Sequence, residues 1–439
     1  MRPVYRVEPG GQLAGELRVP GDKSISHRAL MLGGLARGLT EITGFLDSED
    51  CLATLGALRV LGVRIERPAD HEVRVQGVGA VSDAFSAPGA PLDMGNAGTA
   101  MRLFMGLLAS QRFDSTLIGD ASLTRRPMER VAAPLRQMGA RIETHAGCPP
   151  VHLRATNGLS AIEYAMPVAS AQVKSAILLA GLGARGLTQV IEPAPTRDHT
   201  ERMLARFGVQ TRRDGARICL AGGQPLTAAS LSVPGDFSSA AFFIVAGLLA
   251  AQDGLLLRNV GVNPTRTGLL RMLALMGGDI RVHPHPAADE PVADLEVRRS
   301  RLRGIVLPPA LVPLAIDELP VLFIAAACAE GETVVSGAQE LRVKESDRLA
   351  VMAEGLTKLG IENALQPDGI RIRGGLSFAG GRIDSHGDHR IAMAFAVAGL
   401  RAREAIVIDD VANVRTSFPG FVELARGVGL PISEHAEPV

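Results

Sequence analysis

At 439 residues the chain is too long for one ordinary core, so two domains or one large repetitive domain is expected. Its 46 Lys and Arg balance 46 Asp and Glu, which excludes a chain-wide field for nucleic acid or an anionic membrane and confines any anion site to local clusters. Trp is absent and Tyr occurs twice, so the core is built from small aliphatic residues and stacking on bases is not expected.

The first segment, "MRPVYRVEPGGQLAGELRV", has no apolar run of the signal-peptide kind. The longest apolar run, Ala240 to Ala251, stops at Gln252-Asp253, short of the roughly 18 residues that a membrane span needs. A cytoplasmic protein is expected. Next comes "VPGDKS", Val19 to Ser24, which opens the first of six apolar helical segments rich in small residues. These are "SISHRALMLGGLARG" from Ser24, "GTAMRLFMGLLAS" from Gly98, "SAQVKSAILLAGL" from Ser170, "SSAAFFIVAGLLA" from Ser238, "DELPVLFIAAACAEG" from Asp317 and "DHRIAMAFAVAGL" from Asp388. Their starts recur every 68 to 79 residues. Between them lie six amphipathic segments such as "LGALRVLGVRI" and "LLRMLALMGGDI", and short alternating β-rich pieces such as "HEVRVQGV" and "GIRIRGG" follow many of these.

Six α/β units follow from this spacing, three before and three after a second "VPGD" at Val233 to Asp236. Pro-Gly-Asp is common turn chemistry, so the tetrapeptide alone could be coincidence; with the helix spacing it marks equivalent points in two homologous halves. The four cysteines, Cys51, Cys148, Cys219 and Cys328, are widely separated, share no metal-ligand spacing and read as reduced structural thiols.

The helix starts differ in what they carry. Free N–H groups, small residues and a nearby cation make an anion site, because unpaired donors and the macrodipole both favour negative charge. The first start adds Lys23, Ser24 and Arg28; its echo at Phe237 adds no charge. "DMGNAGTAMR" supplies Asn96, Thr99 and Arg102, "GDASLTRRPM" supplies Arg125 and Arg126, and "SAQVKS" supplies Ser170, Gln172 and Lys174. "TRDHTER" supplies Arg197 and Arg202, "LRVKESDRL" supplies Lys344, Glu345 and Arg348, and "GDHR" ends in Arg390. Each alone is also what an exposed, capped helix start shows. Together, at corresponding places in a repeat, they predict a site for small, strongly anionic ligands. Asp317 interrupts an apolar run, either as an N-cap or as a proton acceptor among cations. There is no GxxxxGK[ST], strand-linked GxGxxG, HExxH or GxSxG motif, so nucleotide hydrolysis, dinucleotide chemistry, zinc proteolysis and α/β-hydrolase chemistry lose their usual signals. No metal or organic cofactor is expected.

"PGDKSISHRALMLGGLA", "GNAGTAMR", "GDASLTRRPM", "SAQVKSAILLAGL", "TRDHTERM", "ELRVKESDRL" and "DHRIAMAF" together resemble the 5-enolpyruvylshikimate-3-phosphate synthase family, in order over essentially the whole chain. The resemblance implies an α/β (α+β) two-lobed enolpyruvyl transferase fold of six βαββαβ-type units, three per lobe, with helix N-termini facing an interlobe cleft. Residues 21–235 would form the N-terminal lobe and residues 1–20 plus 236–439 the C-terminal lobe, with hinges near Pro20-Gly21 and Pro234-Gly235. It implies transfer of the enolpyruvyl group of phosphoenolpyruvate to the 5-hydroxyl of shikimate 3-phosphate, through a tetrahedral intermediate that expels phosphate, in aromatic amino-acid biosynthesis. By motif, Lys23, Ser24, Arg28, Ser170, Gln172, Arg197, Asp317 and Lys344 would hold shikimate 3-phosphate. Lys23, Asn96, Gly98, Arg126, Gln172, Arg348 and Arg390 would hold phosphoenolpyruvate. Asp317 would accept the 5-hydroxyl proton, and Glu345, with Lys23 nearby, would handle the proton at the methylene carbon. Small-molecule substrates, no nucleic acid, no membrane and a monomer are the expected partnerships.

Two departures stand out. Many members of the family have Lys before a C-terminal "TFP"-like motif, whereas this chain reads "VRTSFP", with Thr416 at that place and Arg415 beside it. Leu103 follows "GNAGTAMR" where many members have Pro, which resembles the branch that includes glyphosate-tolerant members, yet those often carry Ala where this chain has Gly98. Two alternatives stand beside the main reading. The sister transferase acting on UDP-N-acetylglucosamine has Asn after its catalytic Lys and a reactive Cys in its mobile loop, against Ser24 and a Cys-free "IGDASLTRRPM" here. A non-catalytic anion-binding protein on the same scaffold would not need Asp317 and Glu345.

Overall fold

The computed structural model describes residues 2–286 and 289–437. The chain divides into two compact units, Gly21–Val233 and Met1–Pro20 with Pro234–Val439, each with its own apolar core. The N-terminal unit carries α1 (Lys23–Leu35), α2 (Glu49–Val60), α3 (Gly98–Leu108), α4 (Glu129–Gln137), α5 (Ala171–Leu182) and α6 (His199–Arg206). The C-terminal unit carries α7 (Phe237–Ala250), α8 (Gly268–Leu275), α9 (Leu319–Cys328), α10 (Arg348–Lys358), α11 (His389–Ala398) and α12 (Phe421–Gly427). The odd-numbered helices are the six apolar segments of the sequence. They are buried almost all round, and α7 is buried at every residue, as expected of a helix with no polar face. No helix among the described residues is long and apolar enough to cross a membrane.

Each odd–even helix pair belongs to one small sheet. The second repeat shows the pattern: strand Leu92–Asp93, α3, strand Ser115–Ile118, α4, then strands Arg141–His145 and Cys148–Arg154. The first two strands pair in parallel and the rest are antiparallel. The order is therefore βαβαββ, which corrects the βαββαβ order expected from the resemblance. One strand, not two, separates the inner helix from the outer one, because a parallel neighbour must be reached by a helical crossover.

The two "VPGD" turns lie where this pattern is broken in sequence. Strand Leu13–Leu17 pairs in parallel with strand Ala251–Gly261 of the C-terminal unit, and the chain then passes through the first turn into α1. Strand Ser230–Ser232 pairs in parallel with strand Arg37–Thr43 of the N-terminal unit and passes through the second turn into α7. Strand Arg2–Val7 completes the sixth sheet, between strands Ile406–Asp409 and Ile432–Glu437. The echo thus marks two crossings between units. At the first, a Cβ on Gly21 would sit 1.9 Å from the Gly44 carbonyl oxygen, so only glycine fits. At the second, Pro234 and Gly235 fall in the C-terminal unit. The Gly235 N–H donates to the Asn259 carbonyl at 2.8 Å, and the Gly235 carbonyl accepts from the Gly261 N–H at 2.9 Å.

Candidate active site

In the N-terminal unit the polar residues gather at the starts of α1, α3 and α5. Asp22 caps α1, its Oδ1 accepting from the Ile25 N–H at 2.9 Å. The next residue, Lys23, reaches across to Asp50 on α2, with 2.8 Å between Nζ and Oδ2. His27, one turn on, is buried against the Thr54 hydroxyl at 2.8 Å. Burial first, and the Lys23 and Arg28 charges next, hold this imidazole well below the usual histidine range, so it stays neutral. Arg28 donates from Nε to the Thr200 hydroxyl (2.7 Å), from Nη2 to the Ser175 hydroxyl (2.8 Å) and from Nη1 to the Ser24 carbonyl (2.9 Å). Arg197 lies three residues before Thr200, on the turn that leads into α6.

The start of α3 differs from its neighbours in having no side-chain cap. Arg126 stands beside it, donating from Nη2 to Asn96 Oδ1 at 2.6 Å and to the Ser122 hydroxyl at 3.1 Å. Arg102 spans to α5, donating from Nη1 to Gln172 Oε1 at 2.6 Å. The Gln172 amide in turn donates to the Thr99 hydroxyl at 2.8 Å, so both ends of that side chain are held. Ser170 caps α5 through the Val173 N–H. An uncapped helix start with two guanidinium groups beside it is an anion site in the physical sense, and glycine at its first position, whose own N–H donates to the Asn96 carbonyl at 2.9 Å, puts no side chain in a ligand's way.

In the C-terminal unit the cluster is built round Arg348, which is about 1% exposed. It donates from Nε to Asp388 Oδ2 at 2.8 Å, from Nη2 to Glu345 Oε2 at 2.5 Å and from Nη1 to Asp317 Oδ1 at 3.4 Å. Burial works against its charge, but Asp388, Glu345 and Asp317 more than offset this and hold the guanidinium above its ordinary value. Lys344 Nζ lies 3.3 Å from the same Asp317 oxygen, and Arg390 donates to the Asp317 carbonyl at 3.1 Å. The N-cap alternative for Asp317 is overturned: the residue before α9 is Glu318, which makes no capping bond, and the Asp317 carboxylate is turned to the cations. Asp388 is the residue that caps its helix, α11.

The sequence-predicted residues fall into two sets, one per unit. Lys23, Ser24, Arg28, Asn96, Gly98, Arg126, Ser170, Gln172 and Arg197 belong to the first, and Asp317, Lys344, Glu345, Arg348 and Arg390 to the second. Lys174 does not join the first set. It is fully buried between Glu192 and Glu201, at 3.0 and 2.7 Å. Arg202 pairs with Asp198 on its own helical turn. Neither residue at the "VRTSFP" departure presents a cation to the cluster: Arg415 is 64% exposed and paired with Glu434, while buried Thr416 bonds the Asn413 carbonyl. Asp50, Ser175, Thr200 and Asp388 escaped the sequence reading as partners of the cations. For Asp388 the signal was present in "GDHR"; for the two hydroxyls there was none.

The architecture is the two-lobed enolpyruvyl transferase fold. The enolpyruvyl transferase NikO from Streptomyces tendae shares it with a TM-score of 0.80 over the whole of both chains, at 18% identity. Within that fold, the chain belongs to the EPSP synthase (3-phosphoshikimate 1-carboxyvinyltransferase) family, whose sequence profile matches residues 7–424. The 3-phosphoshikimate 1-carboxyvinyltransferase of Methylococcus capsulatus is 59% identical over 431 residues, covering 98% of each chain. That of Alkalilimnicola ehrlichii is 60% identical over 431 residues, covering 98% of this chain and 96% of its own. The EPSP synthase structure from Acinetobacter baumannii is 51% identical, with a TM-score of 0.88 over 99% of this chain and all of that one.

Proposed function

We propose that this chain transfers the enolpyruvyl group of phosphoenolpyruvate to the 5-hydroxyl of shikimate 3-phosphate, with release of phosphate. The observation that carries the reading is the match to 3-phosphoshikimate 1-carboxyvinyltransferases at about 59% identity over 98% of the chain. In this scheme Lys23, Ser24, Arg28, Ser170, Gln172 and Arg197, with Asp317 and Lys344, bind shikimate 3-phosphate. Lys23, Asn96, Gly98, Arg126 and Gln172, with Arg348 and Arg390, bind phosphoenolpyruvate, whose anionic groups suit the uncapped start of α3 and its guanidinium neighbours.

The chemistry asks for a base at the attacking hydroxyl and an acid at the methylene carbon. Asp317, whose carboxylate is held by Lys344 and Arg348 in a fixed orientation, accepts the 5-hydroxyl proton as the oxygen adds to the enol carbon. Glu345, with Lys23, delivers a proton to the methylene carbon and removes one when phosphate leaves. Lys23 and Arg126 stabilise the charge that develops on the departing phosphate. The enzyme works on small anionic substrates as a cytoplasmic monomer.

The test is phosphate release from phosphoenolpyruvate by the purified protein, with and without shikimate 3-phosphate. Release that depends on shikimate 3-phosphate is expected. Release that instead requires UDP-N-acetylglucosamine would move the chain to the sister reaction, and binding without release would leave an anion-binding protein.

A further inference from the structure

Resting on that reading, we infer that the seam between α5 and α6 is a positioning layer for the shikimate-phosphate cations: the Ser175 and Thr200 hydroxyls aim Arg28, and the buried Lys174, Glu192 and Glu201 behind them hold the turn that carries Arg197. None of these five residues is needed to touch substrate.

Arg28 rises from α1, yet it donates to hydroxyls on α5 and α6. Those hydroxyls are themselves hydrogen-bonded to each other at 2.7 Å, and all three side chains are buried. The plane of the guanidinium is thus set by two repeats of the unit together, the first and the third, and a rigid donor fork placed in this way binds an anionic group better than one free to rotate.

The neighbours in sequence repeat the connection one layer deeper. Lys174, adjacent to Ser175, lies 2.7 Å from Glu201, adjacent to Thr200. The other partner of Lys174, Glu192, is 1% exposed and accepts from the Thr196 N–H at 3.2 Å and from the Thr196 hydroxyl. Its second oxygen accepts from Arg213 at 2.8 Å. The segment 193–198 is therefore tied through Thr196 to the Glu192 carboxylate, and Arg197 is the residue that follows the attachment point. A buried carboxylate with a lysine, an arginine and a hydroxyl on it is a costly arrangement, stable only while every partner is present, and it orders the loop that carries Arg197, a predicted shikimate 3-phosphate ligand.

The experiment replaces Thr200 by Val, which keeps the shape and removes the hydroxyl, and by Ser, which restores it. Binding of shikimate 3-phosphate alone is read by calorimetry, and the Michaelis constants of both substrates and kcat are measured beside it. Thr200→Val should weaken shikimate 3-phosphate roughly tenfold in both binding and KM, while the phosphoenolpyruvate KM and kcat stay within about twofold. Thr200→Ser should lie within about twofold of the wild type. Unchanged shikimate 3-phosphate affinity in Thr200→Val, equal changes for both substrates, or failure of Ser to rescue would each overturn the inference. Ser175→Ala is read in the same way if Thr200→Val does not fold. A wild-type protein that binds no shikimate 3-phosphate would instead remove the functional reading on which the inference rests.

Discussion

Gly98→Ala is the sharpest single perturbation of the proposed phosphoenolpyruvate site. A methyl group built on Gly98 would lie 3.0 Å from Arg126 Nη1, 3.5 Å from Leu123 Cδ1 and 3.6 Å from Arg102 Nη1. Only the first contact is too close, by roughly 0.4 Å, and the atom that must yield is the tip of a long side chain. Arg126 Nη1 donates to the Asn96 carbonyl at an already long 3.3 Å, whereas Nη2 holds Asn96 Oδ1 at 2.6 Å. The guanidinium therefore pivots on Nη2 and sacrifices mainly the weaker bond, a loss of about 1 kcal/mol or less. The phosphoenolpyruvate KM should rise no more than about fivefold. Glyphosate, bound at the same place and longer, meets the methyl itself, and intrusion into a packed site costs about 1–3 kcal/mol, or roughly 5–150-fold in its inhibition constant. Leu103, about one turn on, is wholly buried in the core of the unit. The wild-type enzyme is therefore expected to be inhibited competitively with phosphoenolpyruvate despite its resemblance to the tolerant branch. The assay is the pair of constants, KM for phosphoenolpyruvate and Ki for glyphosate, in wild type and Gly98→Ala. Equal proportional changes in both would refute the steric reasoning.

Asp317→Asn keeps the shape and an oxygen facing Lys344 and Arg348 but removes the proton acceptor, so kcat should fall by roughly 10²-fold or more while shikimate 3-phosphate still binds; near-normal turnover in steady-state assays would strip Asp317 of the catalytic role. Lys174→Met leaves the Glu192 and Glu201 carboxylates buried without their shared cation and should cost about 3–5 kcal/mol in urea unfolding, with a loss below about 1 kcal/mol arguing against the buried ion cluster. Burial pushes the Cys328 thiol up to about 12 and Cys51 higher still, so both stay protonated and unreactive at pH 8 while half-buried Cys148 is labelled first. Labelling of Cys51 or Cys328 as fast as Cys148 in the native protein would contradict this.

The odd-numbered helices were readable because each is an apolar run and four of the six, α1, α5, α7 and α11, are opened by a capping Asp or Ser, and both signals are local. Strand pairing was not. Leu13–Leu17 and Ser230–Ser232 are five and three residues long, and nothing in so short a strand says which unit holds its partner. The same limit applies to the cations. Lys23 and Lys174 look alike in sequence, each near a helix start beside serine, yet one is part-exposed with Asp50 at 2.8 Å and the other is sealed between two carboxylates. What separates them is Glu192 and Glu201, brought in from outside the helix by the fold. Arg348 shows the converse: its neighbours Lys344 and Glu345 marked a cluster, but that one guanidinium would hold Asp317, Glu345 and Asp388 together required the α9 and α11 starts to be in place.

The two "VPGD" turns show how one geometry came to serve two purposes. Both aspartates cap the helix that follows, Asp22 through Ile25 and Asp236 through Ser238, so the turn itself is kept for the crossing. The difference lies in where the next polar groups go. After Asp22 the chain sets Lys23 against Asp50 with part of its surface still open to a ligand. After Asp236 it sets Phe237, 1% exposed, into the core. Arg266 then binds Asp236 Oδ1 at 3.1 Å and the Ser238 hydroxyl at 2.7 Å, and that hydroxyl donates to buried Glu318. The second turn therefore satisfies its charges internally and ties α7 to the residue next to Asp317. A cation at position 237 would have to be buried in the apolar core, where the low dielectric opposes it, whereas a cation at position 23 costs little because it is part-exposed and paired with Asp50.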